Sequence, residues 1–184
     1  MDIAKVLFLS QQVLRTLFSV TNKLQMQGDK YLQDITIRQM LAVPAIIHAP
    51  EGEATINHIA RSLGTTKQSA KQIVHAMEKK KYLSVVPSKQ DKRAVSITVT
   101  PEGWQAFKTC SEHTDEFLAD IFHDFTMKDL ESLWTLLKKL YCFDGVSQEG
   151  FEEHMDYSKS EADHILQHHQ SFVKRREKNH MENK

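Results

Sequence analysis

The stretch NHIARSLGTTKQSAKQIVHAMEKKKYLSVVPSKQDKRAVSITVT, residues 57–100, decides the fold. Asn57 is a good helix N-cap ahead of Ile59, Ala60 and Leu63, and Gly64 closes that short helix. Thr65 or Thr66 caps the next one. There Ala70, Ile73, Val74 and Met77 fall at i, i+3, i+4 and i+7, a single apolar stripe. The opposite face carries Lys67, Gln68, Ser69, Lys71, Gln72 and His75. Two β-rich runs follow, Tyr82 to Pro87 and Ala94 to Thr100. The second alternates Val95, Ile97 and Val99 with Ser96, Thr98 and Thr100. The short polar link between them predicts a hairpin with a basic tip. A polar helix face beside a basic tip can grip duplex DNA at two points.

Helical patterns flank this unit. Ile3, Val6, Leu7, Val13, Leu14, Leu17, Phe18 and Leu24 recur at helical spacing, with Gly28 as the stop. Thr36 and Gln39 fit a capping box for a second helix, in which Pro44 predicts a kink or an early end. Pro50-Glu51-Gly52-Glu53 reads as a turn. Pro101 suits the first position of a long helix carrying Trp104, Phe107, Phe117, Leu118, Ile121 and Phe122. Thr126, with Asp129 three residues on, opens another, with Leu130, Leu133, Trp134, Leu137 and Leu140 beneath it. Beyond Asp144-Gly145 the chain turns polar, with one more helix expected from about Ser160 to Lys178.

The 184 residues carry 24 basic and 24 acidic side chains, so the chain is no generic polycation. The charge is local. Between Arg61 and Arg93 nine basic residues face only Glu78 and Asp91, nine minus two, a net of +7. Such a field suits a polyanion, although a solvated helix face gives the same count. No apolar run is expected to reach membrane-spanning length, and Met1-Asp2-Ile3-Ala4-Lys5 lacks the features of a signal peptide. Cys110 and Cys142 make no disulfide framework. A cytoplasmic location follows as the expectation.

The order of elements resembles the MarR family of winged helix-turn-helix transcription regulators, over roughly Met1 to Asp144. The most specific residues are Asp91-Lys92-Arg93 at the wing tip and Thr100-Pro101-Glu102-Gly103 after its second strand. Leu63-Gly64-Thr65-Thr66-Lys67-Gln68-Ser69-Ala70 resembles the family's turn into its recognition helix. The resemblance implies a mainly α fold, an α+β winged helix between dimerisation helices. It divides the chain into a dimerisation helix (1–33), a winged DNA-binding domain (34–100), C-terminal dimerisation helices (101–145) and a polar, partly helical extension (146–184). It also implies a homodimer on a pseudo-palindromic site. Three features depart from the family pattern: Lys81 stands where Gly is usual, the neutral Gln72 ends the exposed stripe where a basic residue is common, and the chain runs on past Gly145.

On this reading, helix 66–80 enters the major groove and wing 88–93 the minor groove of double-stranded DNA. Gln68 and Gln72 share a face and carry the amide pair that reads adenine. Thr66 and Ser69 can serve a base or a phosphate, while Lys67 and Lys71 suit phosphates. Arg93 resembles the family's minor-groove arginine, Lys89 and Lys92 add phosphate contacts, and Asp91 structures the wing. No catalytic residue, metal site or cofactor is expected, and no Gly-rich phosphate loop or nucleophile elbow occurs.

A small-molecule effector is expected between the dimerisation and winged parts, by resemblance among the first, second and fifth helices. His164 and His168 with Glu161, and the looser group His113, Asp120, His123 and Asp124, invite metal binding. A helical pair supplies only two ligands per face, and polar surface histidines are commoner. Both cysteines read as buried and inert rather than redox-active. The competing function is a winged-helix interaction module. It would act through the acidic residues Glu149, Glu152, Glu153, Asp156, Glu161 and Asp163, which could also fold back on the basic winged domain.

Overall fold

The computed structural model describes residues 2–50, 53–87, 95–146 and 159–182, without the side chains of 159–162, 164 and 182. In chain order the elements are α1 (Ile3–Leu32), α2 (Ile37–Ile47), α3 (Ile56–Ser62), α4 (Lys67–Lys79), β1 (Leu83–Pro87) and β2 (Val95–Val99). They are followed by α5 (Pro101–Ile121), α6 (Met127–Tyr141), a 3-10 turn (Cys142–Asp144), α7 (Lys159–His168) and α8 (Gln170–Glu182).

One sealed core lies under the winged region. Leu32 and Ile35 close it from the end of α1, and Ala42, Val43, Ala45 and Ile46 from α2. Ile59 and Ala60 enter from α3, and Ala70, Ile73, Val74 and Met77 from α4. The hairpin adds Leu83 and Ile97, and α5 adds Phe107 and Cys110. The strands are antiparallel, with Leu83 opposite Val99 and Val85 opposite Ile97. The Ile97 amide donates to the Ala54 carbonyl at 2.9 Å, which pins the hairpin to the segment before α3.

The local signals are mostly obeyed. Thr36 and Gln39 form the capping box of α2, and Thr126 and Asp129 that of α6. Pro101 sits at the start of α5, and the Glu53 amide bonds the Pro50 carbonyl at 2.9 Å, as a turn requires. Pro44 lies inside α2, three residues before its end at Ile47. Three expectations fail. Gly28 does not stop α1; it is buried within the helix, where a Cβ would lie 3.0 Å from that of Ile37. The N-cap of α3 is Thr55, not Asn57: its hydroxyl accepts from the His58 amide at 3.2 Å. The polar tail holds two helices, not one, divided at His169.

The motif Thr100-Pro101-Glu102-Gly103 has a plain physical basis. The Thr100 hydroxyl caps α5 by accepting from the Gly103 amide at 3.0 Å, and donates to the Lys81 carbonyl at 2.6 Å. Gly103 packs so tightly on β1 that a Cβ there would lie 2.1 Å from the Tyr82 carbonyl oxygen. The motif therefore welds α5 to the exit of α4.

Outside that core the protomer is unsealed. Residues 3–23 of α1 are exposed apart from half-buried Leu17, and Phe18 is 67% exposed. By length and composition α1 could cross a membrane, which corrects the expectation that no apolar run is long enough. Its composition is two-sided, however: Lys5, Gln12, Arg15, Ser19 and Lys23 fall on one side of the helix and the aliphatic residues on the other. No residue of α6 is buried, so Leu130, Leu133, Trp134, Leu137 and Leu140 do not lie beneath it as expected. They form an open apolar face.

The end of the chain is engaged instead. Helix α8 packs along α5. Arg175 forks onto Asp120 at 2.7 and 2.8 Å, Asn179 donates to the same carboxylate at 2.9 Å, and Tyr31 of α1 donates to it at 2.6 Å. Arg176 reaches the carbonyls of Phe122 and Phe125 just past the end of α5, and His169 meets the buried Asp115 at 2.8 Å. The Arg175 guanidinium, helped by Asn179 and Tyr31, holds the Asp120 carboxyl well below the usual carboxylate range. The hydrogen bond to Asp120 in turn raises the Tyr31 phenol.

Candidate nucleic-acid interface

Two identical helix endings present α4. After α3, the Thr65 amide bonds the Ala60 carbonyl and the Gly64 amide bonds that of Arg61, with Gly64 left-handed at φ +57°. After α4, the Tyr82 amide bonds the Met77 carbonyl and the Lys81 amide that of Glu78, with Lys81 left-handed at φ +63°. Both are Schellman endings. The second tolerates a lysine where the family usually places glycine, at a cost of about 1 kcal/mol. The connection is therefore unchanged by the substitution.

Between these endings α4 buries Ala70, Ile73, Val74 and Met77 as its stripe requires. Thr66, Lys67, Gln68, Lys71, Gln72 and His75 are exposed, and Ser69 is half-buried. Thr66 is the N-cap, its oxygen accepting from the Ser69 amide at 3.2 Å, so part of its bonding capacity serves the helix. Lys80 donates to the Asp34 carbonyl. Lys89, Asp91, Lys92 and Arg93 lie outside the described residues.

Sequence reasoning missed Arg38. From the first turn of α2 its guanidinium donates to the Ser69 hydroxyl at 2.9 Å and to the Thr65 hydroxyl at 3.2 Å. A basic residue one position past Ile37 in a capped helix was the available signal, but no periodicity reports a contact between helices 31 residues apart in sequence.

An apolar cavity of about 860 Å³ near this surface lies between Leu14 of α1, Gly64 of the turn, and Leu137, Leu140, Tyr141, Phe143 and Val146 around the end of α6. It differs from the expected pocket of first, second and fifth helices. Tyr141 packs against the turn itself: a Cβ on Gly64 would lie 3.2 Å from its hydroxyl. Among the described residues no cluster could hold a metal ion. Of the residues weighed for metal binding, Asp120 is committed to Arg175, while His169, next to His168, bonds Asp115. Burial raises the Cys110 thiol, as an inert cysteine requires. Cys142 is exposed, against expectation, because α6 packs on little within the protomer.

Residues 33–94 match the model of the MarR family. The resemblance read from the sequence therefore holds over residues 33–94, and the fold is one shared with solved MarR-family structures. The chain is similar to the crystallised MepR–DNA complex of S. aureus, at 20% identity and a TM-score of 0.62, covering 69% of this chain and 94% of that one. It is similar to a mutant MarR of E. coli complexed with operator DNA, at 21% and 0.62, over 70% and 93%. It is also similar to a MarR/EmrR-family regulator of Acinetobacter sp. ADP1, at 24% and 0.63, over 72% and 94%. These structures are spanned almost end to end, while more than a quarter of the present chain extends past the match. No curated protein matches the chain.

Proposed function

We propose that the protein is a homodimeric, cytoplasmic transcription regulator that binds double-stranded DNA as a ligand-responsive repressor. The observation that carries this reading is the exposed face of α4, with Lys67, Gln68, Lys71 and Gln72 outermost on a helix anchored by its other side. Thr66, Ser69 and the glutamines face base edges in the major groove, and Lys67 and Lys71 take phosphates. Wing residues Lys89, Lys92 and Arg93 clamp the adjacent minor groove, with Asp91 structuring the tip.

The open faces of α1 and α6 support the dimer. An isolated amphipathic helix with Val6, Leu7, Leu14 and Phe18 outermost leaves a large apolar area in water, and a second copy is the simplest cover. A bilayer suits α1 less well, because Lys5 and Arg15 would enter the hydrocarbon. The domain division at 33, 100 and 145 remains part of this proposal, with Leu32, Phe107 and Cys110 joining the winged core from the flanking helices. A small-molecule effector fits the cavity beside Tyr141, which touches both a dimerisation helix and the turn before the reading helix.

The rival reading, an interaction module worked by the extension, gains less support. Part of that extension is occupied within the protomer, through α8 on α5.

Selection of bound sequences from random duplexes, followed by affinity against salt, tests the proposal. Two related half-sites and a steep salt slope are expected. Lys71→Ala and Arg93→Ala should each reduce that slope by about 1. Wild-type affinity and slope in both variants would rule out this surface.

A further inference from the structure

Arg38 is not on the reading helix, yet it controls what that helix can read. Its Nη2 donates to two hydroxyls at the N-terminal end of α4, those of Thr65 in the turn and Ser69 in the first helical turn. A guanidinium has donors only. Each hydroxyl must therefore accept from Arg38, and its one hydrogen is then free to turn outward. Ser69 thus has one of its two lone pairs taken and its hydrogen unclaimed by Arg38, which favours donation toward anything that approaches α4. The Nε and Nη1 hydrogens of Arg38 have no protein acceptor among the described residues. The guanidinium is half-buried and held at two points, so little side-chain freedom remains to be lost on binding.

We infer that Arg38 is a specificity-determining positioning residue: it sets the Ser69 hydroxyl as a hydrogen-bond donor for an acceptor on duplex DNA, and gives its own remaining N–H groups to a backbone phosphate. This deepens the DNA-binding reading and rests on it. The acceptors in the major groove are purine N7, guanine O6 and thymine O4, whereas cytosine presents the N4 donor. The base pair opposite Ser69 should therefore disfavour cytosine on the contacted strand. Arg38 also supplies a guanidinium to a surface whose exposed stripe ends in the neutral Gln72.

The test uses the full chain and duplexes chosen from a random pool by the wild-type protein. Each base pair of the selected half-site is varied singly, and affinities are measured for wild type, Arg38→Met, Arg38→Lys, Ser69→Ala and the double variant Arg38→Met/Ser69→Ala. Thermal melting confirms that each variant is folded. Wild type should disfavour cytosine at one position by about two- to tenfold, the worth of a single hydrogen bond. Arg38→Met should lose that preference and lower the salt slope by about 1. Arg38→Lys, with the charge but not the fork, should restore slope without preference. The double variant should be no less selective than Ser69→Ala. If wild type binds a defined site and Arg38→Met keeps both the preference and the slope, the role of Arg38 is refuted while DNA binding stands. If both variants lose preference additively, Arg38 does not act through Ser69. If wild type selects no sequence at all, the DNA-binding reading falls, and the role of Arg38 with it.

Discussion

The winged region and the α1–α6 arms use the same kind of amphipathic helix with opposite outcomes. Helix α4 buries its whole apolar stripe, with Ala70 and Met77 wholly inside. Helix α6 has as regular a stripe and buries none of it. The difference lies in neighbours rather than composition. Helix α4 is surrounded by α2, α3 and β1, whereas the first two-thirds of α1 and all of α6 project from the unit. One region is closed within the chain; the other stands open.

The sharpest way to test that contrast is to damage the sealed side. Met77→Ala should lower stability by about 2–5 kcal/mol in chemical denaturation, since Met77 is fully enclosed. A loss under 1 kcal/mol would show that the core repacks and is not closed. Next comes the open side. Phe18→Asp with Leu137→Asp should weaken the proposed dimer at least about a hundredfold, roughly 2.7 kcal/mol, in sedimentation measurements. The melting of the isolated fold should barely move. A monomeric wild type would break the comparison at its base.

A smaller effect is expected where α8 closes over α5. Arg175→Ala should cost about 1–2 kcal/mol, because Arg175 remains about a third exposed and water screens the pair. Faster hydrogen exchange confined to α8 would report it. The pH dependence has a definite sign. The Asp120 carboxyl is depressed in the folded protein, so its contribution is complete above the ordinary aspartate value near 4 and fades as pH falls below it. Asp120→Asn should therefore be less stable than wild type at neutral pH, and the gap should shrink in acid. The smallest expected change is a gain. Lys81→Gly removes a left-handed lysine and should stabilise by about 0.5–1 kcal/mol, less the added freedom of the unfolded glycine.

What could be read from sequence was whatever is settled within a few residues. The capping pairs at Thr36 and Thr126, the hairpin, and Thr100-Pro101 obey short-range rules. What could not be read depends on distant partners. Gly28 looks like a helix stop until Ile37 is seen against it. Asn57 and Thr55 are both sound caps, and only the path of the preceding segment chooses Thr55. The stripe of α6 announced burial but not by what. At the candidate interface the outward residues of α4 were legible from periodicity, while Arg38 was not, because its bonds to Thr65 and Ser69 bridge separate helices. The clasp of Arg175 and Asn179 on Asp120 was illegible for the same reason.

Helix α5 touches both halves of this contrast. It starts one residue after β2, at a Thr100 bonded to the exit of α4, and ends beneath Arg176 of α8. Its 21 residues make a rod about 31 Å long. A rod of that length turns small angles into useful travel: tilting it by about 5° carries the far end about 2.7 Å, most of a hydrogen-bond length. With Gly103 seated so closely on Tyr82, the near end has no play to absorb such a tilt. A tilt of α5 would therefore be felt at the exit of α4, to which Thr100 and Gly103 join its near end.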